Sequence, residues 1–522
     1  MRSRPGVRSL LLLVTLSGCT EVGPDFVTPE APVADVWTVA DDPQIETTPP
    51  EDPAWWKALD DAELSELIEA ARRANPTVQS AGVRVLQARA QLAATVGELY
   101  PQQQQAFGDV RYQRLSEGDV LPKSVSSFDN SFWGLQFGIG ASWEIDFWGK
   151  FRRAIEAADA SLMASIAGYD NALVSLTAEV ASTYVSIRTF QERLRIAREN
   201  VEIQRTSLRL AEVRYRDGQT SQTDVEQAKA EYAQTRSEIP QLEIGLRQNL
   251  HALSVLLGRP PADLEDLVGE IGPIPSPPPE VAIGIPAELL RRRPDIRAAE
   301  QAAAAQSALI GATKADLYPA VSLSGTFGFL STDIGNSNLL DAFDWKSRVV
   351  SFGPAVVWNV LNYGQITNQV RAQDAAFQEA VLSYQNTVLQ AQQEVADALV
   401  SFLGNQEAAA LLLEAVAAAK RSVQLATIEY REGAAGYTTV LVAQQNLLQQ
   451  QDQLAVTQGG ITQALISLYR ALGGGWQTWE GAPFVSAAIK QMMAARTNWG
   501  GLLEDETLGS EAVTSPVPEP VF

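Results

Sequence analysis

Cysteine and histidine are almost absent from this chain, whose 522 residues contain one of each. These counts exclude a disulfide framework and a zinc site built from cysteine and histidine ligands. Basic residues are also scarce, since 40 lysines and arginines face 62 acidic residues and the formal net charge is −22. Such a chain lacks the positive surface that attracts nucleic acid, so we expect no nucleic-acid partner. The sequence also lacks a nucleophile–base pair, a phosphate-binding loop and a metal cluster, which argues against an enzyme.

The single cysteine ends an apolar run near the N-terminus. Arginines precede an apolar run at 10–16. The last residue of the run begins the sequence Leu-Ser-Gly-Cys, whose cysteine is Cys19. The run is too short to span a bilayer, so residues 1–18 are predicted to be a secretory signal peptide. The ending resembles the bacterial lipobox, which implies that Cys19 is lipidated and begins an extended segment, 19–54. The non-acidic Thr20 implies sorting to the outer membrane; an ordinary signal peptide with an unrelated cysteine is the alternative.

An internal duplication occupies most of the remaining chain. Pro294 follows Pro76 by 218 residues, and Pro319 follows Pro101 by the same distance. The segments 76–101 and 294–319 that these prolines bound are both rich in alanine and glutamine and are predicted to be helical. Further along, an offset of 215 relates a second set of landmarks: Trp143 and Trp358, Gly149 and Gly364, Tyr215 and Tyr430, Gly218 and Gly433, Gly258 and Gly473. An offset held over more than a hundred residues indicates two homologous units.

The two units are predicted to cover 55–272 and 287–476, with a proline-rich linker at 273–286 between them. The acidic C-terminal segment, 477–522, is expected to be partly disordered. The basic run Arg291-Arg292-Arg293 at the start of the second unit is interpreted as the solvated beginning of a helix.

Each unit contains a long stretch without proline, in which apolar residues are spaced alternately by four and three. In the first unit the positions with this spacing are Leu162, Ile166, Tyr169, Leu173, Leu176, Val180, Thr183 and Ile187, and in the second they are Phe377, Val381, Tyr384, Val388, Ala391, Val395, Ala398 and Phe402. This period is typical of a coiled-coil seam. A second helix follows each stretch after a turn, which predicts helical hairpins at 150–257 and 365–472, each about 100 Å long.

The segments before the long helices alternate strictly between apolar and polar or glycine residues. From Trp133 to Phe147 every odd position is apolar, and the pattern recurs from Val350 to Val360. Such alternation is typical of membrane β-strands that face lipid on one side and a lumen on the other. The pattern predicts hairpins at about 103–147 and 319–361, with Pro354 marking a bulge or an unpaired edge. Four strands cannot close a barrel, so the chain must assemble with copies of itself, in a number that the strand count leaves open.

These features resemble the outer-membrane efflux protein family, the TolC-like channels, and in particular the lipoprotein branch that serves resistance-nodulation-division pumps. The residues that carry the resemblance are Val22-Gly23-Pro24-Asp25-Phe26, Trp55-Trp56, Asp146-Phe147-Trp148-Gly149-Lys150 and Ala471-Leu472-Gly473-Gly474-Gly475-Trp476. The resemblance implies a mainly α protein with a membrane β-barrel, in which three chains close a twelve-strand barrel above an α-helical barrel. It also implies a lipid-anchored outer-membrane protein that extends into the periplasm.

The resemblance further implies partners and a passive role. The expected partners are two other copies of the chain, a periplasmic adaptor protein, an inner-membrane resistance-nodulation-division transporter and outer-membrane lipid. No cofactor is expected beyond the covalent lipid on Cys19. The expected function is an exit duct for drugs or other small molecules. A duct for type I protein secretion and a lipid-anchored coiled coil without a pore are the alternatives.

A gate is implied near the turns of the helical hairpins. The resemblance places Tyr430 and Asp224 in a pair that hydrogen-bonds across neighbouring helices, whereas a plain helix cap is the alternative for Asp224. Relatives often carry an aspartate ring after the second turn, where this chain has Thr439 and Val442. A more apolar constriction is therefore the expectation there, formed by Tyr437, Val440 and Leu441.

Overall fold

A computed structural model describes residues 21–37, 42–46, 48, 53–116, 131–261, 268, 272–278, 281–282, 286, 292–335 and 337–503. The predicted signal peptide, Cys19 and the last part of the C-terminal segment lie outside these residues.

Three helices of the first unit match three helices of the second in order and length, with 22, 67 and 35 residues in each. The first unit contains α1 (Ala62–Ala74), α2 (Pro76–Gly97), α3 (Lys150–Arg216) and α4 (Gln222–Leu256). The second contains α5 (Pro294–Ala315), α6 (Gln365–Arg431) and α7 (Tyr437–Ala471), and α8 (Ala487–Arg496) follows. Both long helices have 67 residues, which at 1.5 Å per residue gives about 100 Å. The duplication seen in the sequence is therefore a duplication of structure.

The strands form one antiparallel sheet. A short parallel pair, β1 (Ile45–Glu46) with β4 (Val281–Ala282), lies apart from it. The sheet contains β2 (Gln103–Arg114), β3 (Ser131–Ile145), β5 (Ala320–Thr332) and β6 (Arg348–Val357), in the order β2-β3-β5-β6. The two predicted hairpins are thus joined through β3 and β5, which leaves β2 and β6 as open edges.

The strand register gathers the apolar positions onto one face. Ile139 pairs with Phe327 and Trp143 pairs with Leu323, so the odd positions of β3 and β5 share a face. Leu323 in turn pairs with Pro354, which brings the even positions of β6 to that face. The opposite face carries mainly glycine, serine, threonine and glutamine. Pro354 lies in an edge strand, as predicted, where a missing N–H is tolerated.

Tryptophans fix the end of the sheet nearest the helices. The indole Nε1 of Trp143 donates to Leu99 O at 3.0 Å, and that of Trp358 donates to Leu317 O at 3.0 Å, so the duplicated residues make the same bond. Toward the other end, the rings of Phe327, Phe329 and Trp345 contact one another, with centroids 5.6 to 6.3 Å apart. Aromatic residues at both ends of an apolar band are typical of outer-membrane barrels.

The N-terminal segment is held against the start of α3. Val22 N donates to Trp148 O at 3.0 Å, and the buried Arg153 donates to Asp25 Oδ1 at 2.6 Å. Gly149 has a φ of 78°, and a Cβ there would meet Glu21. The described chain therefore begins beside the junction between the sheet and the long helices.

The interpretation of Arg293 as a solvated residue is wrong. Its side chain is buried and donates to Glu394 Oε2 at 2.7 Å and to Ala471 O at 2.8 Å. It also forms a double hydrogen bond with Asp295, at 3.0 and 2.6 Å. Arg293 thus ties the start of α5 and the end of α7 to the middle of α6.

Candidate functional site: the tips of the helical hairpins

The ends of α3 and α6 furthest from the sheet have the same turn. Gly218 and Gly433 have φ values of 70° and 80°, a conformation that favours glycine after a helix. Gln219 N donates to Arg214 O, and Ala434 N donates to Glu429 O, both at 2.8 Å. These bonds close the two helices identically and send α4 and α7 back toward the sheet.

An apolar cluster joins the two tips within one chain. We call it the tip cluster, and its buried members are Ala211, Val225, Ala228, Ala419, Val423, Ala426, Tyr430, Tyr437, Val440, Ala443 and Leu447. The cluster contains residues from both hairpins, so each chain holds its two tips together by its own side chains. It is separate from the main apolar core, which lies around the middle of the long helices.

Tyr430 lies at the centre of this tip cluster. Its ring meets the Tyr437 ring edge-on, with centroids 5.4 Å apart and planes at 72°. Its hydroxyl is buried and has no hydrogen-bond partner within the described residues. Burial raises the pKa of both phenols above their ordinary value, so both remain neutral at physiological pH.

Asp224 lies in the first turn of α4, where it takes part in a local cap. Its carboxylate accepts hydrogen bonds from Thr220 Oγ1 and, at 3.2 Å, from Ser221 Oγ. Ser221 is the N-cap residue of the helix. Within one chain Asp224 therefore supports the cap formed by Ser221, and no hydrogen bond between described residues joins Asp224 to Tyr430.

The residues after the second turn divide into two groups. Tyr437 and Val440 are each 1% exposed and belong to the tip cluster, so they are not available to line a lumen. Thr439 and Val442 are exposed, and Leu441 is half-buried. The side chains free to form a constriction are therefore Thr439, Leu441 and Val442.

Arg214 is a tip residue that no sequence pattern indicates. Its guanidinium carbon lies 4.7 Å from the centroid of the Tyr430 ring, which is cation–π distance. Its Nε and Nη1 atoms are buried without a hydrogen-bond partner among the described residues. The contact links α3 of the first hairpin to α6 of the second. Arg216, two residues away, is equally basic but exposed, so local sequence does not separate the two.

Above the tip cluster the two hairpins meet through polar side chains. Gln444 Nε2 donates to Ser207 Oγ at 2.6 Å, and Gln445 Nε2 donates to Glu231 Oε2 at 2.7 Å. Gln204 and Gln444 are among the buried residues of this layer, and the amide oxygen of each has no partner in the described part of the chain. A polar layer is held less firmly than an apolar one, because water can replace its hydrogen bonds when the surfaces separate.

Together, a sheet with one apolar face and two open edges, and two helical hairpins of about 100 Å whose tips pack together, define a subunit of an outer-membrane channel with a helical extension. The sequence model described as "Outer membrane efflux protein" matches residues 67–259 and 285–474, one match for each unit. The chain belongs to the outer membrane efflux protein family, and its localisation is the outer membrane.

Characterised relatives extend along most of the chain. The pyoverdine export outer membrane protein OpmQ of Pseudomonas putida is 33% identical over 428 residues, which cover 82% of this chain and 89% of that protein. The outer membrane protein OprJ of Pseudomonas aeruginosa is 30% identical, with coverage of 90% and 96%. The solved structure of the outer-membrane channel OprN superimposes with a TM-score of 0.80 at 31% identity, covering 87% of this chain and 99% of that one.

Proposed function

We propose that the chain is one of three identical subunits that form a passive exit duct from the periplasm to the outside of the cell. The observation that carries this proposal is the four-stranded sheet, whose apolar face continues across all four strands and whose edges β2 and β6 lack partners among the described residues. An open edge in hydrocarbon costs several kcal/mol per unpaired group, and pairing β6 of one copy with β2 of the next removes both edges. Three copies would supply twelve strands, and no catalytic step is required.

The N-terminal contacts support a lipid anchor at Cys19. Residues 21–25 are bound beside the junction of sheet and helices, so a lipid two residues earlier would lie at the membrane surface. A relative named the probable outer membrane lipoprotein SilC, of Salmonella typhimurium, is 28% identical over 477 residues. Labelling with radioactive palmitate is expected in the unaltered protein and absent from Cys19→Ser.

The proposed partners are a periplasmic adaptor and an inner-membrane resistance-nodulation-division transporter, which would deliver small molecules to the tips. Relatives bear names that refer to pyoverdine export and to solvent efflux. Deleting the gene should sensitise the cell to several small toxic compounds, and deleting the partner transporter should sensitise it to the same ones. Unchanged sensitivity together with loss of a secreted protein would instead indicate type I secretion.

We place the gate of this duct at the tips. Tyr430 would hold the two hairpins together through Arg214 and Tyr437, and Asp224 would fix the start of α4. Thr439, Leu441 and Val442 would face the opening, with Val440 behind them in the tip cluster. The polar layer above would allow the hairpins to separate when an adaptor binds.

The absence of an acidic ring leads to a prediction about cation block. Thr439 and Val442 carry no charge where relatives often carry aspartates, so divalent and polyamine cations should block this channel weakly from the periplasmic side. Val442→Asp should increase the affinity for such blockers by about tenfold, because three added carboxylates would face one another across the opening. The measurement is the concentration of hexamminecobalt or spermine that halves the single-channel current. Strong block of the unaltered channel would contradict the prediction.

A further inference from the structure

A short loop near the outer end of the sheet, furthest from the helices, covers part of the apolar face. We call residues 337–347, between β5 and β6, the outer loop. Its Phe343 ring lies 5.2 Å from the ring of Phe137, and its Trp345 ring lies 6.2 Å from the ring of Phe329, measured between centroids. Both partner phenylalanines belong to the apolar face of β3 and β5, so the outer loop lies on the outside of the proposed barrel.

Polar contacts hold the outer loop against the sheet. Leu340 N donates to Asn338 Oδ1 at 3.2 Å, and Asn338 N donates to Asp341 Oδ2 at 3.0 Å, which closes a reciprocal cap. Ser347 Oγ donates to Asp341 O at 2.6 Å. From β5, Ser331 Oγ donates to Asn338 O at 2.9 Å and joins the loop to the strand. The carboxylate of Asp341 is therefore used within the loop itself.

The outer loop turns three large apolar side chains away from the protein. Leu340, Phe343 and Trp345 are 68%, 69% and 66% exposed, whereas Ala342 is fully buried against the sheet. Side chains of this size on the lipid side of a barrel are typical of the level at which the hydrocarbon meets the lipid headgroups. The apolar side chains of the loop therefore suit a lipid surface.

The N-terminal contacts indicate the depth of the outer loop in the membrane. The proposed lipid on Cys19 would place the inner membrane surface near Trp148, whose carbonyl oxygen accepts from Val22 N. A membrane strand needs about ten residues to cross the hydrocarbon. Counted back from Trp148 through β3, the same number of residues ends at Gly138, next to Phe137. The outer loop, which lies on Phe137, is therefore at the level of the headgroups of the outer leaflet.

Positive charge accompanies the aromatic side chains at this level. Arg348, the first residue of β6, has its guanidinium carbon 5.2 Å from the centroid of the Trp345 ring, and its Nη1 donates to Trp345 O at 2.9 Å. The Arg348 side chain is exposed, and none of the ion pairs between described residues includes it. Lys346 is also exposed and lies 3.0 Å from Asp344. Arg114, at the outer end of β2, is a further exposed arginine on the apolar face.

We propose that the outer loop binds the phosphorylated glycolipid of the outer leaflet, with its apolar side chains among the acyl chains and Arg348 on a headgroup phosphate. This proposal rests on the barrel proposed above and adds a lipid site on its outside. A guanidinium can donate two parallel hydrogen bonds to a phosphate, and the Trp345 ring beside it restricts its orientation. The leaflet at this end of the sheet faces the outside of the cell, where the lipid of such membranes is a glycolipid with several acyl chains and with phosphates on its sugars.

Lipid titration of the purified full-length protein tests the proposal, with bisphosphorylated and dephosphorylated lipid A as probes and native mass spectrometry as the measurement. The unaltered protein should bind the phosphorylated form about tenfold more tightly, because only that form accepts the charge-assisted hydrogen bonds of Arg348. Arg348→Ala should bind both forms equally, at the weaker of the two affinities. Trp345→Ala should lower the affinity for both forms, because it removes apolar contact surface and leaves the arginine in place.

Arg111→Ala is the matched control, because Arg111 is an exposed arginine of β2 on the opposite face of the sheet, and it should keep the preference for phosphate. If the unaltered protein is trimeric and conducts but binds both forms of lipid A equally, the lipid site is wrong and the duct stands. Equally tight binding of phosphatidylglycerol would overturn the assignment to the glycolipid. If the unaltered protein neither assembles nor conducts, the duct fails, and the lipid site fails with it.

Discussion

Arg214→Ala is expected to open the periplasmic tip and to increase the current through a single channel. The guanidinium bridges α3 and α6 by its contact with the Tyr430 ring at 4.7 Å, and alanine removes that bridge. A cation–π contact contributes about 1 kcal/mol, so three copies contribute about 3 kcal/mol, which changes a closed-to-open ratio by a factor on the order of 100. Two N–H groups of Arg214 are buried without a hydrogen-bond partner among the described residues, and this unmade bonding offsets part of the favourable ring contact. An adaptor could therefore break the contact.

The measurement is single-channel current in planar bilayers, together with cell sensitivity to a large hydrophilic antibiotic that the outer membrane normally excludes. Arg216→Ala is the matched control, because Arg216 ends the same helix but is exposed. Arg214→Lys should give an intermediate current, since it keeps the charge but loses the planar group. Equal currents in the Arg214→Ala and unaltered channels would show that Arg214 does not hold the tip closed.

Arg293→Ala is expected to destabilise the folded chain far more than alanine at the neighbouring Arg292 does. The arginine is buried and connects Asp295, Glu394 and the last carbonyl of α7, so its removal takes one shared donor away from all three groups. Because Glu394 is exposed and Asp295 is partly exposed, the loss falls mainly on the buried carbonyl and on the packing of the arginine, and it costs about 2 kcal/mol. The temperature at which the assembled protein dissociates on semi-native gels should fall clearly.

Arg292→Ala is the control for this substitution. The contact that Arg292 makes with Trp476 uses its backbone carbonyl, which alanine retains, so the change should stay within about 0.5 kcal/mol. Equal dissociation temperatures for the Arg293→Ala and unaltered proteins would contradict the structural role assigned to Arg293.

The long helices and the apolar strands are visible in the sequence because each follows a regular period that the duplication repeats. The first strand, Gln103–Arg114, is less evident, since three successive glutamines open it and its apolar positions are few. Its position follows from pairing with β3, which is a property of the folded sheet and not of the segment itself. Similarly, the local sequence around Arg293 indicates a solvated residue, because the groups that bind its side chain, Glu394 and Ala471, are far away in sequence.

The sequence predicts where the hairpin tips lie, but it does not predict the contacts between them. The turns at Gly218 and Gly433 mark the tips, and Tyr430 lies beside one of them. The burial of Tyr437 and the contact of Tyr430 with Arg214 depend on how the tips of the two hairpins pack against each other. Such packing between distant segments has no period in the sequence, so only the structure separates Arg214 from its exposed neighbour.

The central claim is that copies of this chain enclose one continuous duct, and single-channel recording of the purified assembly tests it most directly. We predict discrete, uniform current steps when the trimeric fraction is added to a planar bilayer. A folded, trimeric protein that enters the bilayer and gives no steps, even with the tip opened by Arg214→Ala and Tyr430→Ala together, would contradict the claim.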